Sequence, residues 1–344
     1  MATLMEIVKP LGKGSCGSVN LIRVTNPDDG SKPYYHAVKT SKGPDYSALH
    51  DEFFILYKLR GCQGIVQTLG SYLTRGVNEK GERVYNMSME YAAGGSLTSF
   101  IETKSLTDTM IRDFTRMILQ GLVSIHDLGY VHCDLKPDNL LLFPLDDVKE
   151  VSYELKISDF GLSTREGVAP DFWKFESCPY VGTPLYMSPE SVQYGVVEKS
   201  LDLWSLGCVV LEMYTGKPAW TCQNSTELLG LLLDEEAPEI PETLPCEARQ
   251  FVETCLARDP VERGSALDLL KHPFLLERVS DEEEEYVMFK KVVDRHLRLK
   301  TIHPKSPGCR LVFVQSFCLE ETARSIQDKA RPSLVPVLAL SLGR

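Results

Sequence analysis

The chain has 344 residues, of which 25% are charged, and a formal net charge of −11 at pH 7. This length suffices for two lobes around a large core, and the acidic balance argues against general binding to nucleic acid or to an anionic membrane. The first residues lack the basic start and long apolar stretch of a secretory signal, and no apolar run is long enough for a membrane helix. We therefore expect a cytoplasmic protein, with the nucleus left open, that binds neither nucleic acid nor membrane.

Cysteine usage gives little sign of a structural role. The chain contains 10 cysteines, none of them in a Cys-x-x-Cys pair. In the absence of a secretory signal we expect free thiols, and the spacing disfavours a zinc site. Cys16 and Cys133 fall inside the motifs described below and are the candidates for reactivity, although a free cysteine is more often a small apolar filler.

A glycine-rich segment lies near the start of the chain, where residues 11–19 read LGKGSCGSV. Glycine lets the backbone approach phosphates closely, but a Rossmann dinucleotide site carries the same glycines, and so does an ordinary turn. A Rossmann loop opens a helix, whereas residues 19–24, VNLIRV, favour a strand. The segment therefore predicts a hairpin whose glycine turn folds over a nucleotide.

Two charged residues follow on separate predicted elements. Residues 35–39, YHAVK, predict a strand ending in Lys39, and residues 47–60 have the apolar spacing of a helix. Alone, Lys39 has the pattern of a solvated strand lysine. Glu52, however, lies on the apolar stripe of the helix, where an unpaired carboxylate is costly, and a salt bridge to Lys39 removes that cost. Asp51 is the competing carboxylate, but it faces away from the stripe.

The next elements lead to the densest polar motif. Residues 64–72 and 84–91 predict two strands joined by a polar loop, and a long amphipathic helix begins at Thr107 and ends at Gly129. Residues 132–139 then read HCDLKPDN, and residues 159–161 read DFG. Asp134 or Asn139 alone would be taken for a turn residue that caps its own backbone. In this order and spacing, they set out the parts needed to move a phosphoryl group from ATP-Mg to a hydroxyl.

With these motifs the sequence resembles the eukaryotic protein kinase family. The lysine two residues after Asp134 and the segment 182–190, GTPLYMSPE, resemble the serine/threonine type. The resemblance implies an α+β, bilobal protein kinase fold in residues 4–276, with a small β-rich N-lobe carrying one main helix (about 4–91) and a larger helical C-lobe (about 92–276). Residues 277–344 form a C-terminal tail of unknown role, partly helical or disordered, for which a docking or autoregulatory function is open.

The resemblance also implies roles for individual residues. In the catalytic set, Asp134 accepts the proton of the acceptor hydroxyl or orients it, Lys136 neutralises charge on the moving phosphoryl, and Lys39, paired with Glu52, binds the α- and β-phosphates. Asn139 and Asp159 are the Mg²⁺ ligands. The ATP-binding positions are Leu11, Gly12, Lys13, Gly14, Ser15, Cys16, Gly17, Ser18, Val19, Ala37, Lys39, Met89, Glu90 and Ala92. Among them, Met89 is the gatekeeper behind the adenine, and residues 90–92 are the hinge between the lobes.

Supporting contacts follow from the same resemblance. Thr183 is expected to hydrogen-bond near Asp134 and Lys136, and Asp202 to bind the backbone of the catalytic loop. Glu190 is expected to form a buried pair with Arg263. Three aromatic residues at 172–175, FWKF, either pack on the lobe or contact a substrate.

The chain departs from the family where Cys133 stands in place of the usual arginine. That arginine pairs with a phosphorylated activation loop and keeps it ordered, which a thiol cannot do. We therefore hypothesise that activity does not depend on that loop-phosphate contact. The candidate phosphorylation sites in the loop are Ser163, Thr164 and Ser177. Ser188 and Gly264 also replace the family's usual alanine and proline, and we expect the serine to be tolerated.

Segments 37–41, AVKTS, and 59–66, LRGCQGIV, resemble plant mitogen-activated protein kinase kinase kinases. This implies a role in a signalling cascade, with ATP and Mg²⁺ as cofactors and a protein substrate such as a downstream kinase. The alternatives are a pseudokinase scaffold that binds nucleotide and partners without catalysis, and a small-molecule kinase. The intact catalytic and metal-binding positions argue against the first, and segment 182–190 argues against the second. The sequence does not predict the oligomeric state.

Overall fold

The computed structural model describes residues 4–14, 17–26, 32–42, 46–78, 80–145, 152–168, 182–222, 225–234 and 237–276. Several predictions lie outside these residues: the tip of the glycine-rich turn with Ser15 and Cys16, the aromatic segment 172–175, Ser177, and the whole tail 277–344. Within the described parts of the chain, no helix combines the length and the apolar character needed to cross a membrane.

The first part of the chain is an antiparallel sheet with one long helix. Its elements are β1 (Leu4–Gly14), β2 (Gly17–Thr25), β3 (Tyr34–Lys42), α1 (Tyr46–Lys58), β4 (Thr74–Val77) and β5 (Arg83–Met89). The five strands lie in the order β1-β2-β3-β5-β4. The hairpin predicted from the glycine-rich segment is β1–β2, which closes with Gly14 opposite Gly17.

Gly17 explains why this hairpin needs glycine at its second strand. Its φ is +146°, and a Cβ atom there would lie 2.0 Å from the carbonyl oxygen of Thr40 on β3. Any side chain would push β2 away from β3. Glycine therefore allows the start of β2 to lie directly beside β3, the strand that carries Lys39.

The second part of the chain is mainly helical. Its elements are α2 (Leu97–Thr103), α3 (Asp108–Asp127), β6 (Tyr130–Val131), β7 (Leu140–Leu145), β8 (Ser152–Ile157), β9 (Thr164–Arg165), α4 (Pro189–Tyr194), α5 (Ser200–Thr215), α6 (Ser225–Leu233), α7 (Cys246–Cys255) and α8 (Ala266–Leu269). β6 pairs with β9 and β7 with β8. The predicted bilobal α+β architecture is confirmed.

The core of the helical part surrounds α5, whose sequence is apolar on nearly every side and whose residues from Leu201 to Met213 are buried. Helix α3 packs its apolar stripe into the same core. It starts where predicted, with the Thr107 hydroxyl accepting from the backbone N–H of Met110, and Gly129 follows it with a φ of +73°. The two helices form a rigid base for the loops that carry the polar motifs.

The strand predicted for residues 64–72 is wrong. The strand paired with β5 is β4, which begins only at Thr74. The preceding linker instead makes two isolated bridges, from Ile65 to Ile157 and from Thr68 to Met89. Gly64 takes a φ of +70°, which turns the chain out of a strand. Its carbonyl accepts from the Ile157 N–H at 2.8 Å, so the linker lies across the end of β8.

A buried ion pair joins distant parts of the helical lobe. Arg263 is 1% exposed and donates to both carboxylate oxygens of Glu190 at 2.5 and 2.9 Å. Its guanidinium also donates to the carbonyls of Ala257 and Ser200 and stacks on the Trp204 ring at 5.0 Å. A charge this deep is tolerated because every side of it is satisfied. The pair therefore links α4, the start of α5 and the loop after α7.

Replacing Arg263 by methionine tests this linkage. Arg263→Met leaves the Glu190 carboxylate buried without a cation, and we expect the free energy of unfolding to fall by about 3–5 kcal/mol. The matched control is Lys271→Met, because Lys271 and its partner Asp268 have 69% and 65% exposed side chains, and exposed pairs contribute little. Equal losses in urea unfolding for the two variants would contradict the assigned role of the buried pair.

Candidate active site

The cleft between the two parts of the chain contains a buried ammonium group. Lys39 on β3 donates to the two carboxylate oxygens of Glu52 at 2.9 and 2.7 Å and to Asp159 at 2.9 Å. Lys39 is 6% exposed and Glu52 is 2% exposed, whereas the competing Asp51 is exposed and lies beside His50. Burial by itself lowers the pKa of Lys39, but the two carboxylates outweigh it and raise the pKa. Lys39 therefore stays charged.

The loop 132–139 is held from below by Asp202 at the start of α5. Its carboxylate accepts from the backbone N–H groups of His132 and Cys133 at 2.9 and 3.0 Å, and it contacts His126 Nε2 at 2.9 Å. Burial opposes the negative charge of Asp202, yet the His126 hydrogen bond and charge outweigh it and lower the pKa. Cys133 has a φ of +66°, a left-handed conformation that non-glycine residues rarely adopt. The buried carboxylate thus supports a strained loop.

Asp134 is the centre of a second polar cluster. Its Oδ1 accepts from the Thr183 hydroxyl at 2.7 Å, and its Oδ2 lies 3.0 Å from Asn139 Nδ2 and 2.9 Å from Lys136 Nζ. Lys136 in turn donates to Thr183 Oγ1 at 2.7 Å. Thr183 therefore occupies the predicted place beside Asp134 and Lys136. Gly182 permits this approach, since a Cβ there would lie 2.5 Å from the Cys133 carbonyl oxygen.

Ser158 joins the two clusters. Its N–H and its hydroxyl both donate to the Asn139 carbonyl, at 2.8 and 2.9 Å, and its own carbonyl lies 3.1 Å from His132 Nε2. Asp159 follows with a φ of +60°, which aims its carboxylate at Lys39. Phe160 then packs its ring edge-on against His132, with centroids 5.0 Å apart. All six predicted catalytic and metal-binding side chains consequently belong to two polar clusters that Ser158 joins.

The described nucleotide positions lie on strands of the antiparallel sheet and just beyond its strand β5. Residues 11–14 end β1 and residues 17–19 begin β2, and Ala37 on β3 lies opposite Met89 on β5. No steric contact within the described residues requires glycine at position 12, because a Cβ there would meet nothing within 4 Å. Beyond β5, the backbone N–H of Ala92 finds no backbone acceptor among the described residues. The open space beside Gly12 is suited to a phosphate chain, and the unbonded N–H of Ala92 is suited to a base.

The same cleft offers oxygen ligands for a hard cation. Both hydrogen bonds of the Asn139 amide use its nitrogen, toward the Asp134 carbonyl and carboxylate, which leaves the amide oxygen free to coordinate. Asp159 has a lowered pKa because the charge of Lys39 overcomes the effect of burial, so it is ionised. The described residues contain no cluster of three or more His, Cys, Asp and Glu side chains that could hold a metal ion. This donor set fits Mg²⁺, which takes few protein ligands together with phosphate oxygens and water.

Sequence reasoning missed two supporting side chains. His126 contacts Asp202 from the buried face of α3, and its signal was a polar residue four positions after Leu122 on the apolar stripe. Ser158 gave no signal, because a serine before DFG has the pattern of an ordinary loop residue. Both act by hydrogen-bonding the loops that carry the predicted site residues.

Comparison with known proteins agrees with this geometry. A sequence model of the protein kinase domain matches residues 5–275. Mitogen-activated protein kinase kinase kinase 20 of Arabidopsis thaliana is 35% identical over 289 residues, which cover 81% of this chain and 80% of the relative. Mitogen-activated protein kinase kinase kinase 17 of the same plant is 37% identical over 272 residues, covering 77% and 68%.

A mouse relative, mitogen-activated protein kinase kinase kinase 15, is 36% identical over 290 residues, covering 81% of this chain and 20% of the relative. The resemblance to this group inferred from the motifs is thereby confirmed. The domain-wide match and the assembled cleft lead to one conclusion: the chain belongs to the protein kinase family, as a serine/threonine kinase.

Proposed function

We propose that this protein transfers the γ-phosphate of ATP to serine or threonine hydroxyls of a protein substrate, with Mg²⁺ as the metal. The observation that carries the proposal is the joining of the Lys39–Glu52–Asp159 cluster to the Asp134–Asn139 cluster through Ser158. A structural role alone would not require so many charged groups to converge in a cleft. When bound, ATP-Mg supplies the phosphoryl group and a leaving group whose charge the metal neutralises.

Separate residues of the site bind the phosphates, the metal and the acceptor hydroxyl. Lys39, fixed by Glu52, binds phosphate oxygens as a buried cation, and Asn139 and Asp159 ligate the metal through their side-chain oxygens. Asp134 receives the hydroxyl of the acceptor and orients it or takes its proton. Because Oδ1 and Oδ2 of Asp134 are both hydrogen-bonded, its carboxylate is held in one orientation before a substrate arrives.

Thr183 and Lys136 define the acceptor side. The Thr183 hydroxyl accepts from Lys136 and donates to Asp134, so that it fixes the lysine and the carboxylate at once. Lys136 is thereby held next to Asp134, where it neutralises charge on the phosphoryl group in transit. Segment 182–190 then forms the wall that a peptide following the acceptor would contact.

We further propose a place in a signalling cascade, with a downstream protein kinase as substrate. Support comes from the relatives named as mitogen-activated protein kinase kinase kinases in a plant and in mouse.

Asp134→Asn tests the catalytic role. We expect phosphate transfer to a generic protein substrate to fall by at least about a hundredfold, since general-base groups contribute on that order. ATP-Mg should still raise the melting temperature, because Asp134 is hydrogen-bonded to none of the predicted ATP-binding positions and the asparagine amide oxygen can still accept from its one contact among the predicted metal ligands, Asn139. Asp127→Asn, an exposed aspartate at the end of α3, is the matched control and should keep normal transfer.

Near-normal turnover of Asp134→Asn would overturn its role. The pseudokinase alternative makes a different prediction for the unsubstituted protein. A scaffold would be stabilised by ATP-Mg without transferring phosphate, and that result would replace the proposed activity.

Regulation follows from the surroundings of Cys133. Its side chain packs on an apolar cluster of Val131, Val197 and Leu201, where the family places an arginine. Burial raises the pKa of the Cys133 thiol, and the charges of Asp202 and Asp134 raise it further. The thiol is therefore neutral and poorly reactive, and a phosphate brought here would meet carboxylates and apolar side chains.

Phosphatase treatment tests whether loop phosphorylation matters. We expect the treated protein to retain most of its activity, because Cys133 offers no cation to a loop phosphate. Mass spectrometry must show that Ser163, Thr164 and Ser177 are unmodified, and a sample treated with inactive phosphatase is the control. Loss of most activity, restored only when the loop is phosphorylated again, would reject the hypothesis.

A further inference from the structure

A charged network lies at the hinge, and the roles assigned above do not use its side-chain contacts. We call it the hinge network: Gln67, Glu90 and Lys156. Lys156 Nζ donates to both carboxylate oxygens of Glu90 at 3.0 Å, and Glu90 Oε1 also accepts from the backbone N–H of Gln67 at 2.7 Å. The Lys156 and Glu90 side chains are only 13% and 23% exposed. These are charge-assisted bonds in a partly buried setting, where they are stronger than at the surface.

The three residues come from three separate segments. Glu90 directly follows β5 in the predicted hinge, Lys156 belongs to β8 in the helical lobe, and Gln67 lies in the linker after α1. The hinge network therefore crosses from one lobe to the other at the pivot.

Gln67 extends the hinge network to the end of α1. Its side-chain oxygen accepts from the Gly61 N–H at 2.9 Å, and its side-chain nitrogen donates to the Ile65 carbonyl at 2.9 Å. Its backbone carbonyl accepts from the Glu90 N–H at 3.0 Å. Gln67 and Glu90 thus exchange two hydrogen bonds, which fixes the peptide that leads from the gatekeeper Met89 into the hinge.

We propose that the hinge network positions the hinge backbone for the nucleotide base, and that Lys156 is the residue on which this depends. The inference rests on the proposed function, in which the hinge binds adenine through its backbone. The Glu90 N–H donates to the Gln67 carbonyl and the Glu90 carboxylate accepts from Lys156, whereas no backbone donor among the described residues bonds the Glu90 carbonyl, which leaves that oxygen available to a base. Lys156 and Gln67 act through Glu90 and are positioning residues.

Lys156 also has a second partner, which provides the control. Its Nζ lies 3.3 Å from Glu154 Oε2, whose side chain is 38% exposed, and 4.6 Å from the centre of the Phe143 ring. Glu154 lies on the same strand as Lys156, and none of the hydrogen bonds given above for the hinge network involves it. Removing Glu154 therefore disturbs the lysine without breaking the hinge network.

The experiment compares Lys156→Met, Lys156→Arg and Glu154→Gln in the full chain. Lys156→Met should raise the Kd for ATP-Mg about fivefold, the order expected when a partly buried charge-assisted bond is lost. Phosphate transfer at saturating ATP should change less than about twofold, because the catalytic groups contact none of the substituted side chains. Lys156→Arg should restore most of the affinity, and Glu154→Gln should match the unsubstituted protein.

Two outcomes separate this inference from the proposed function. If the unsubstituted protein does not bind ATP, both proposals are overturned. If it binds ATP and Lys156→Met has the same Kd, only the proposed role of the hinge network is overturned. A lower melting temperature with unchanged Kd would show a merely structural pair and would also overturn it. If Lys156→Met does not fold, Glu90→Gln replaces it. Its amide still accepts from Gln67 while the ion pair is lost, so the same rise in Kd is expected.

Discussion

One buried ammonium group determines the arrangement of the cleft. Lys39 carries its charge at 6% exposure, which is affordable only where carboxylates surround it. Glu52 comes from α1 and Asp159 from the segment after β8. The need to neutralise one charge on β3 therefore brings a carboxylate oxygen from the helix and one from the opposite lobe to within 2.9 Å of the Lys39 ammonium nitrogen. Once Asp159 is placed in this way, its neighbour Ser158 positions the Asp134 cluster by donating to the Asn139 carbonyl.

The helical lobe uses the same principle twice more. Asp202 is buried beneath the catalytic loop and accepts from two of its backbone N–H groups. Glu190 and Arg263 satisfy each other in the interior and join α4 to the loop beyond α7. In each case a buried charge is stable only while particular distant segments stay in place. Polar groups of this kind therefore specify the positions of loops that apolar packing alone leaves free.

The sequence predicts a buried charged group where the local pattern places a charged residue among apolar positions. Glu52 could be identified because a carboxylate on an apolar helical stripe has to be paired, and Thr107 and Gly129 because helix ends need particular side chains and conformations. The strand predicted for residues 64–72 failed because its backbone hydrogen-bonds across the lobe boundary to Ile157, and no local pattern encodes that partner. Lys156 was missed for a similar reason: between the apolar residues Leu155 and Ile157 it has the alternation of an ordinary solvent-facing strand lysine.

The end of β8 shows how these contacts combine. Lys156 binds the hinge through Glu90, and the backbone of Ile157 pairs with the linker after α1. Ser158 hydrogen-bonds the catalytic loop, and Asp159 binds Lys39. Consecutive residues on one short segment therefore contact the hinge, the linker after α1, the catalytic loop and the buried Lys39. Because neighbours along a chain cannot lie far apart, these four residues hold the elements that they contact close to one another. The hinge and the catalytic loop are in this way linked by the covalent chain of residues 156–159 itself.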